Sequence, residues 1–131
     1  MVIGAGPGVG RSVARRFAQE GMPIALVART PGTLSNVAEA VASLAVPVVS
    51  LPADSADETA LRAALDTVCE EIGLPDVVVY NAAVIQPDSP GELSVRAQLD
   101  AWSVNVVGAL TAAAHVAPAM ARRGSGSIIV T

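Results

Sequence analysis

Five short apolar runs alternate with longer stretches whose apolar residues recur at helical spacing, and this rhythm constrains the fold more than any other feature of the chain. Val2 and Ile3 form the first run; glycines follow, and then Val9, Val13 and Phe17 recur up to Gly21, a natural helix stop. Residues 24–28, bounded by Pro23 and Arg29, read as a buried strand. Leu34, Val37, Val41 and Leu44 make the stripe of a second helix, which Pro47 interrupts before a third strand at 48–51. Ser55 and Glu58 have the spacing of a capping box, so a third helix is expected to start there, with Leu61, Leu65, Val68 and Ile72 as its buried stripe. Residues 77–80 read as a fourth strand, and 86–92, with two prolines and a glycine, as loop. A long helical stretch from about 94 to 123 contains Pro118 and ends at Gly124-Ser125-Gly126, after which a fifth strand runs over 127–131.

Buried strands alternating with amphipathic helices demand a parallel sheet, right-handed crossovers and helices on both faces, the doubly wound α/β plan in three layers, α-β-α. At 131 residues there is room for one core, so residues 1–131 read as a single domain. The expected sheet is truncated after its fifth strand, leaving an apolar edge, and the first strand is short for a central one. The domain is therefore expected to be incomplete at its C-terminus and at its N-terminus.

Hydrophobic residues make up 52% of the chain and charged ones 15%, enough apolar surface to build a core. Phe17, Tyr80 and Trp102 are its only aromatics, so Ala, Val, Leu and Ile must do the packing. A net charge of −4, with no basic cluster larger than Arg15-Arg16 or Arg122-Arg123, argues against nucleic acid and anionic membranes as partners. No uninterrupted apolar run reaches the roughly 18 residues of a membrane span. Cys69 is alone, which suits a reducing compartment, and the expectation is a soluble, cytoplasmic protein with an inert helical cysteine. No cluster of His, Cys or carboxylates suggests a metal, and His115, mid-helix, reads as structural or surface.

Gly4-Ala5-Gly6-Pro7-Gly8-Val9-Gly10 follows the first strand directly and opens the first helix. A helix N-terminus offers free N–H groups and a favourable dipole to a pyrophosphate, provided no Cβ blocks the approach. The spacing is Gly4-x-x-x-Gly8-x-Gly10; a G-x-G-x-x-G pattern would need glycine where Val9 stands. This turn resembles that of the short-chain dehydrogenase/reductase family, and three further segments resemble the family in order and spacing. Asp54 follows the third strand, where the family has an Asp near the adenine ring. Tyr80-Asn81-Ala82-Ala83 closes the fourth strand where the family has Asn-Asn-Ala-Gly, and Asn105-Val106-Val107-Gly108 stands where the family has its helical Asn.

The resemblance covers essentially the whole chain and implies a Rossmann-type fold and a nicotinamide cofactor. It assigns cofactor contacts to Gly4, Gly6, Gly8, Val9, Gly10, Asp54, Ser55, Asn81, Ala82 and Ala83. Departures from the family pattern are Ile3 for a Thr before the first glycine, Pro7 for a residue with an N–H to offer, Tyr80 for an Asn and Ala83 for a glycine. Cofactor choice turns on the end of the second strand, where a carboxylate selects NAD and an Arg accommodates the 2′-phosphate of NADP. Here Val27-Ala28-Arg29-Thr30 has no carboxylate, and Arg11 stands at the helix start, so NADP(H) is preferred and NAD(H) is the alternative.

The family transfers hydride between the nicotinamide and a carbonyl or alcohol carbon, using a Tyr as acid/base, a Lys to lower its pKa, a Ser to orient substrate and an Asn to position a relay water. Of these four only the Asn has a counterpart, Asn105. All eight basic residues are arginine, so no Tyr-x-x-x-Lys pair exists, and Tyr80, the sole tyrosine, belongs to a strand. The implied function is the cofactor-binding part of an oxidoreductase, taking a small-molecule substrate only if completed and open to homo-oligomer formation. The chain alone is expected to be inactive. The alternatives are a non-catalytic NADP(H)-binding or scaffold module and a non-functional gene fragment.

Overall fold

In the computed structural model, which describes residues 1–86, 89 and 91–131, β1 (Val2–Ile3) lies at the centre of a five-stranded sheet. The order is β3 (Val48–Pro52), β2 (Ile24–Ala28), β1, β4 (Val77–Tyr80), β5 (Ser127–Val130), and every pairing is parallel. Val2 pairs with Leu26 on one side and Val79 on the other, and Ile3 with Val27 and Tyr80. The chain winds outward from β1 through β2 to β3 and then crosses back to β4. The strand order thus reverses beside β1, which opens a crevice at the carboxyl ends of β1 and β4.

Alternate strand residues face opposite sides, and both sides are buried. Val2, Ile24 and Leu26 join Ala14 and Ala18 of α1 (Val9–Gln19) and Leu34 and Val37 of α2 (Pro31–Glu39) in one core. Ile3, Val27, Val78 and Tyr80 join Leu61 and Leu65 of α3 (Glu58–Ile72) and Ala112 and Val116 of α5 (Gly108–Arg123) in the other. This is the expected three-layer plan. Leu61 and Leu65 are fully buried, each contributing about 1.5–3 kcal/mol.

Three local expectations are corrected. The Ser55–Glu58 capping box does not form: Asp57 is the cap, its carboxylate accepting the Ala60 N–H at 3.0 Å. Asp54 accepts the Ala56 N–H at 2.9 Å, and the resulting turn delays the helix start and turns Ser55 inward. The second helix ends at Glu39, short of Val41 and Leu44; a 3-10 turn (Ala42–Leu44) follows, and Ala45 takes a left-handed φ of 52°. Pro47 disfavours helix at the residue before it, so the chain must turn early to reach β3. The long helix is not uniform. It comprises α4 (Val95–Trp102), a π-turn (Ser103–Val107) and α5, with Ser94 as N-cap and Pro118 inside α5.

Of the loop expected at 86–92, Pro87, Asp88 and Pro90 lie outside the described residues. The helix Val95–Arg123 is long and apolar enough to cross a membrane by length and composition, although no uninterrupted apolar run is. Its inner face, with Thr111, Ala112, Val116 and Met120, packs onto the sheet layer. His115 Nε2 lies 3.0 Å from Asp66 Oδ1, linking α5 to α3 as a structural histidine would.

Candidate functional site

The glycine turn is fastened at the sheet edge by its own backbone. The N–H groups of Gly4 and Ala5 both donate to the Val27 carbonyl, at 2.8 and 3.0 Å. Gly4 has a φ of 84°, and a Cβ there would lie 2.3 Å from the Ala82 nitrogen. One at Gly10 would lie 2.6 Å from the Gly4 carbonyl oxygen. These two glycines are required by the close approach of turn, helix and β4. Gly6 and Gly8 differ: nothing stands within 4 Å of a Cβ at either, so their backbone faces open space.

A cavity of about 310 Å³ opens over this turn, near the lower end of the range for small-molecule sites. Among the expected site residues Gly4, Gly6, Arg29, Asp54, Ser55, Asn81, Ala82 and Ala83 line it. Gly8, Val9, Gly10 and Asn105 do not; Val9 is more than half exposed and Gly10 is buried beneath the turn. The cavity thus gathers residues that follow β1, β2, β3 and β4, at the edge where a doubly wound sheet binds its ligands.

Among the lining residues to which the sequence assigned no role, two are polar. Thr30 and Thr33 join Arg29 at the mouth of α2, their hydroxyl oxygens 2.7 Å apart. Thr30 holds the N-cap position without a side-chain cap bond, and Pro31 follows it. The Thr-Pro pair after a strand was a legible helix start; that its hydroxyls flank Arg29 was not.

Asn81 fastens three strand ends. Its Nδ2 donates to the Gly4 carbonyl at 2.9 Å, and its Oδ1 accepts the Thr131 hydroxyl at 3.1 Å. Asn105, in the π-turn, engages the backbone of Val84: Oδ1 accepts the Val84 N–H at 2.7 Å and Nδ2 donates to the Val84 carbonyl at 3.0 Å. Tyr80 is buried, and its hydroxyl donates to the Val104 carbonyl. Burial pushes the phenol above its ordinary pKa and the Asp54 charge adds to this, while a hydrogen bond with the Ser55 side chain acts the other way. Burial thus favours the neutral phenol at this position.

Cys69 is part-exposed on α3, its thiol pushed up by burial and then by Asp66 and Glu70, conditions that keep it protonated. Among the described residues no group of His, Cys, Asp and Glu could hold a metal ion.

A family model described as short chain dehydrogenase matches residues 1–131. The 2,3-dihydro-2,3-dihydroxybenzoate dehydrogenase of Bacillus subtilis is 32% identical over 98% of this chain and 49% of its own length. An alcohol dehydrogenase from the archaeon Thermococcus sibiricus, solved with 5-hydroxy-NADP, superposes with a TM-score of 0.90 at 30% identity, covering 98% of this chain and 55% of that one. A NAD+-bound xylitol dehydrogenase superposes with a TM-score of 0.92 at 26% identity, covering 98% and 50%. The chain spans about half the length, or less, of the curated relatives it matches.

Proposed function

Since the chain belongs to the short-chain dehydrogenase/reductase family, we propose that it forms the nicotinamide-cofactor-binding part of an oxidoreductase and prefers NADP(H) to NAD(H). The observation that carries the preference is Arg29 in the cavity wall, at the end of β2, where that strand supplies no carboxylate. Thr30 and Thr33 stand with it at the start of α2, whose N-terminal N–H groups add favourable partial charge for a phosphate.

The residues present fit such a group. Gly6 and Gly8 leave open backbone at the start of α1, where a pyrophosphate would be held, and we assign Asp54 and Ser55, which line the same cavity, to the adenine side of the cofactor. When bound, a nicotinamide cofactor supplies hydride chemistry. The residues of this chain would bind and orient it: Asn81 and Asn105 hold the backbone on the β4 side of the cavity, and Arg29 selects the phosphate. Asn105 is the residue we assign to the catalytic side, through its place beside Val84.

Hydride transfer itself needs an acid/base that these residues lack, since the chain has no lysine and its one tyrosine is buried in the core. Turnover is therefore assigned to a protein that contains further segments, acting on a small-molecule carbonyl or alcohol. The test is the ratio of NADPH to NADH affinity before and after Arg29→Asp. A unit-charge pair near 4 Å at an effective dielectric of about 20 is worth about 4 kcal/mol before screening. A wild-type preference for NADPH of about tenfold or more, reversed in the variant, is expected; a wild type that prefers NADH overturns the assignment.

A further inference from the structure

The π-turn has a donor that its own helix does not supply. The Gly108 N–H donates to the Ser103 carbonyl, five residues back. In an unbroken α-helix that N–H would donate to the Val104 carbonyl. The Tyr80 hydroxyl, reaching across from β4, donates to Val104 instead. Gly108 makes room for it: a Cβ there would lie 2.2 Å from the Tyr80 hydroxyl oxygen and 2.5 Å from the Ser55 carbonyl oxygen. A wide turn that diverts helical hydrogen bonds is a recurring device at functional sites. Here the sheet supplies the bond that compensates.

The same turn aims Asn105. Its two hydrogen bonds to Val84 give that residue, four past the end of β4, the backbone partners a neighbouring strand would otherwise provide. Val84 and Val104 both line the cavity. We infer that Tyr80 is a positioning residue for the candidate site: its hydroxyl holds the turn at Ser103–Val107, the turn aims Asn105, and Asn105 pins the Val84 backbone as one wall of the cavity. The bearing of this wall on a cofactor rests on the reading proposed above; the coupling from Tyr80 to Val84 does not.

Amide hydrogen exchange on the 131-residue chain tests the coupling without any ligand. The Val84 N–H reports the Asn105 contact, while the N–H groups of Val79, which donates to Met1, and Ala53, which donates to Ala28, report the sheet. In Tyr80→Phe, exchange at Val84 is expected to quicken by roughly fivefold, the factor an ordinary net hydrogen bond is worth. Asn105→Ala should move it the same way, with Val79 and Ala53 unchanged in both. An unchanged Val84, or acceleration of all three amides by a like factor, overturns the inference. Should Tyr80→Phe not fold, 3-fluorotyrosine incorporated at this sole tyrosine, a stronger hydrogen-bond donor of nearly the same size, must slow Val84 exchange selectively for the inference to stand. NADPH titration of the same samples separates the two ideas: a wild-type chain that fails to bind overturns the cofactor reading alone, and Val84 still decides the role of Tyr80.

Discussion

Replacing Gly4 and Gly6 by alanine, one at a time, separates the packing role of the glycine turn from the cofactor role proposed for it. At Gly4 the added Cβ would sit 2.3 Å from the Ala82 nitrogen and 2.6 Å from the Ala82 Cα, both backbone atoms that cannot step aside without moving β4. The left-handed φ of 84° costs an alanine a further 1–2 kcal/mol or about that. Overpacking against fixed atoms adds about 1–3 kcal/mol, so Gly4→Ala should destabilise the fold by about 3 kcal/mol or more. For a domain of this size that is a fall in melting temperature of roughly 10 °C. At Gly6 the new methyl meets nothing within 4 Å, so stability should stay within about 0.5 kcal/mol of wild type. The same methyl would project into the space proposed for the cofactor and should weaken NADPH binding by about tenfold, or about 1.4 kcal/mol. Far-UV circular dichroism through thermal and denaturant unfolding gives the first pair of numbers, and NADPH fluorescence titration the second. Equal melting temperatures for Gly4→Ala and Gly6→Ala would refute the packing account. A Gly6→Ala chain that folds and binds NADPH as tightly as wild type would refute the ligand account.

Tyr80, the sole tyrosine, can be titrated without ambiguity by the ultraviolet absorbance of its phenolate. With its pKa raised in the fold, chiefly by burial, the neutral phenol contributes stability that is fully present below the unfolded value of 10.0 and is lost as pH rises through the folded value. Ionisation should therefore begin above pH 10 and coincide with unfolding; a midpoint at or below 10.0 in the folded chain would contradict the burial. On the outward side of the long helix, Val95, Leu99, Trp102 and Leu110 are all more than half exposed, a stripe that favours pairing with a second copy. Sedimentation equilibrium should show concentration-dependent association of the wild type that Trp102→Glu removes, and a wild type that stays monomeric throughout would dispose of the idea.

Much of this architecture was legible in the sequence because the signals are local. The strands at 24–28 and 77–80 have the bounds that their apolar runs and flanking residues imply, and the position of the glycines between strand and helix marked the edge of the sheet over which the cavity opens. The cluster around Arg29, Asp54 and Asn81 was recoverable because a doubly wound sheet brings the ends of its strands to one edge. Helix starts were less legible. Ser55-x-x-Glu58 is a good capping pattern, but Asp54 closed a tighter local turn and Asp57 took the cap, a competition between neighbours of similar strength.

Sequence alone determined the alternation, the three layers and the glycine turn between β1 and α1, since periodicity and glycine spacing act over a few residues. Tertiary structure alone decided which glycines are packed and which are open, because that depends on how closely Ala82, 78 residues along, approaches Gly4. It also decided that Asn81 ties β1 to β4 and β5, and that a tyrosine in β4 holds a wide turn 24 residues later. Such contacts join residues far apart in the chain, and a buried hydroxyl or amide takes whichever partner the packing brings within reach.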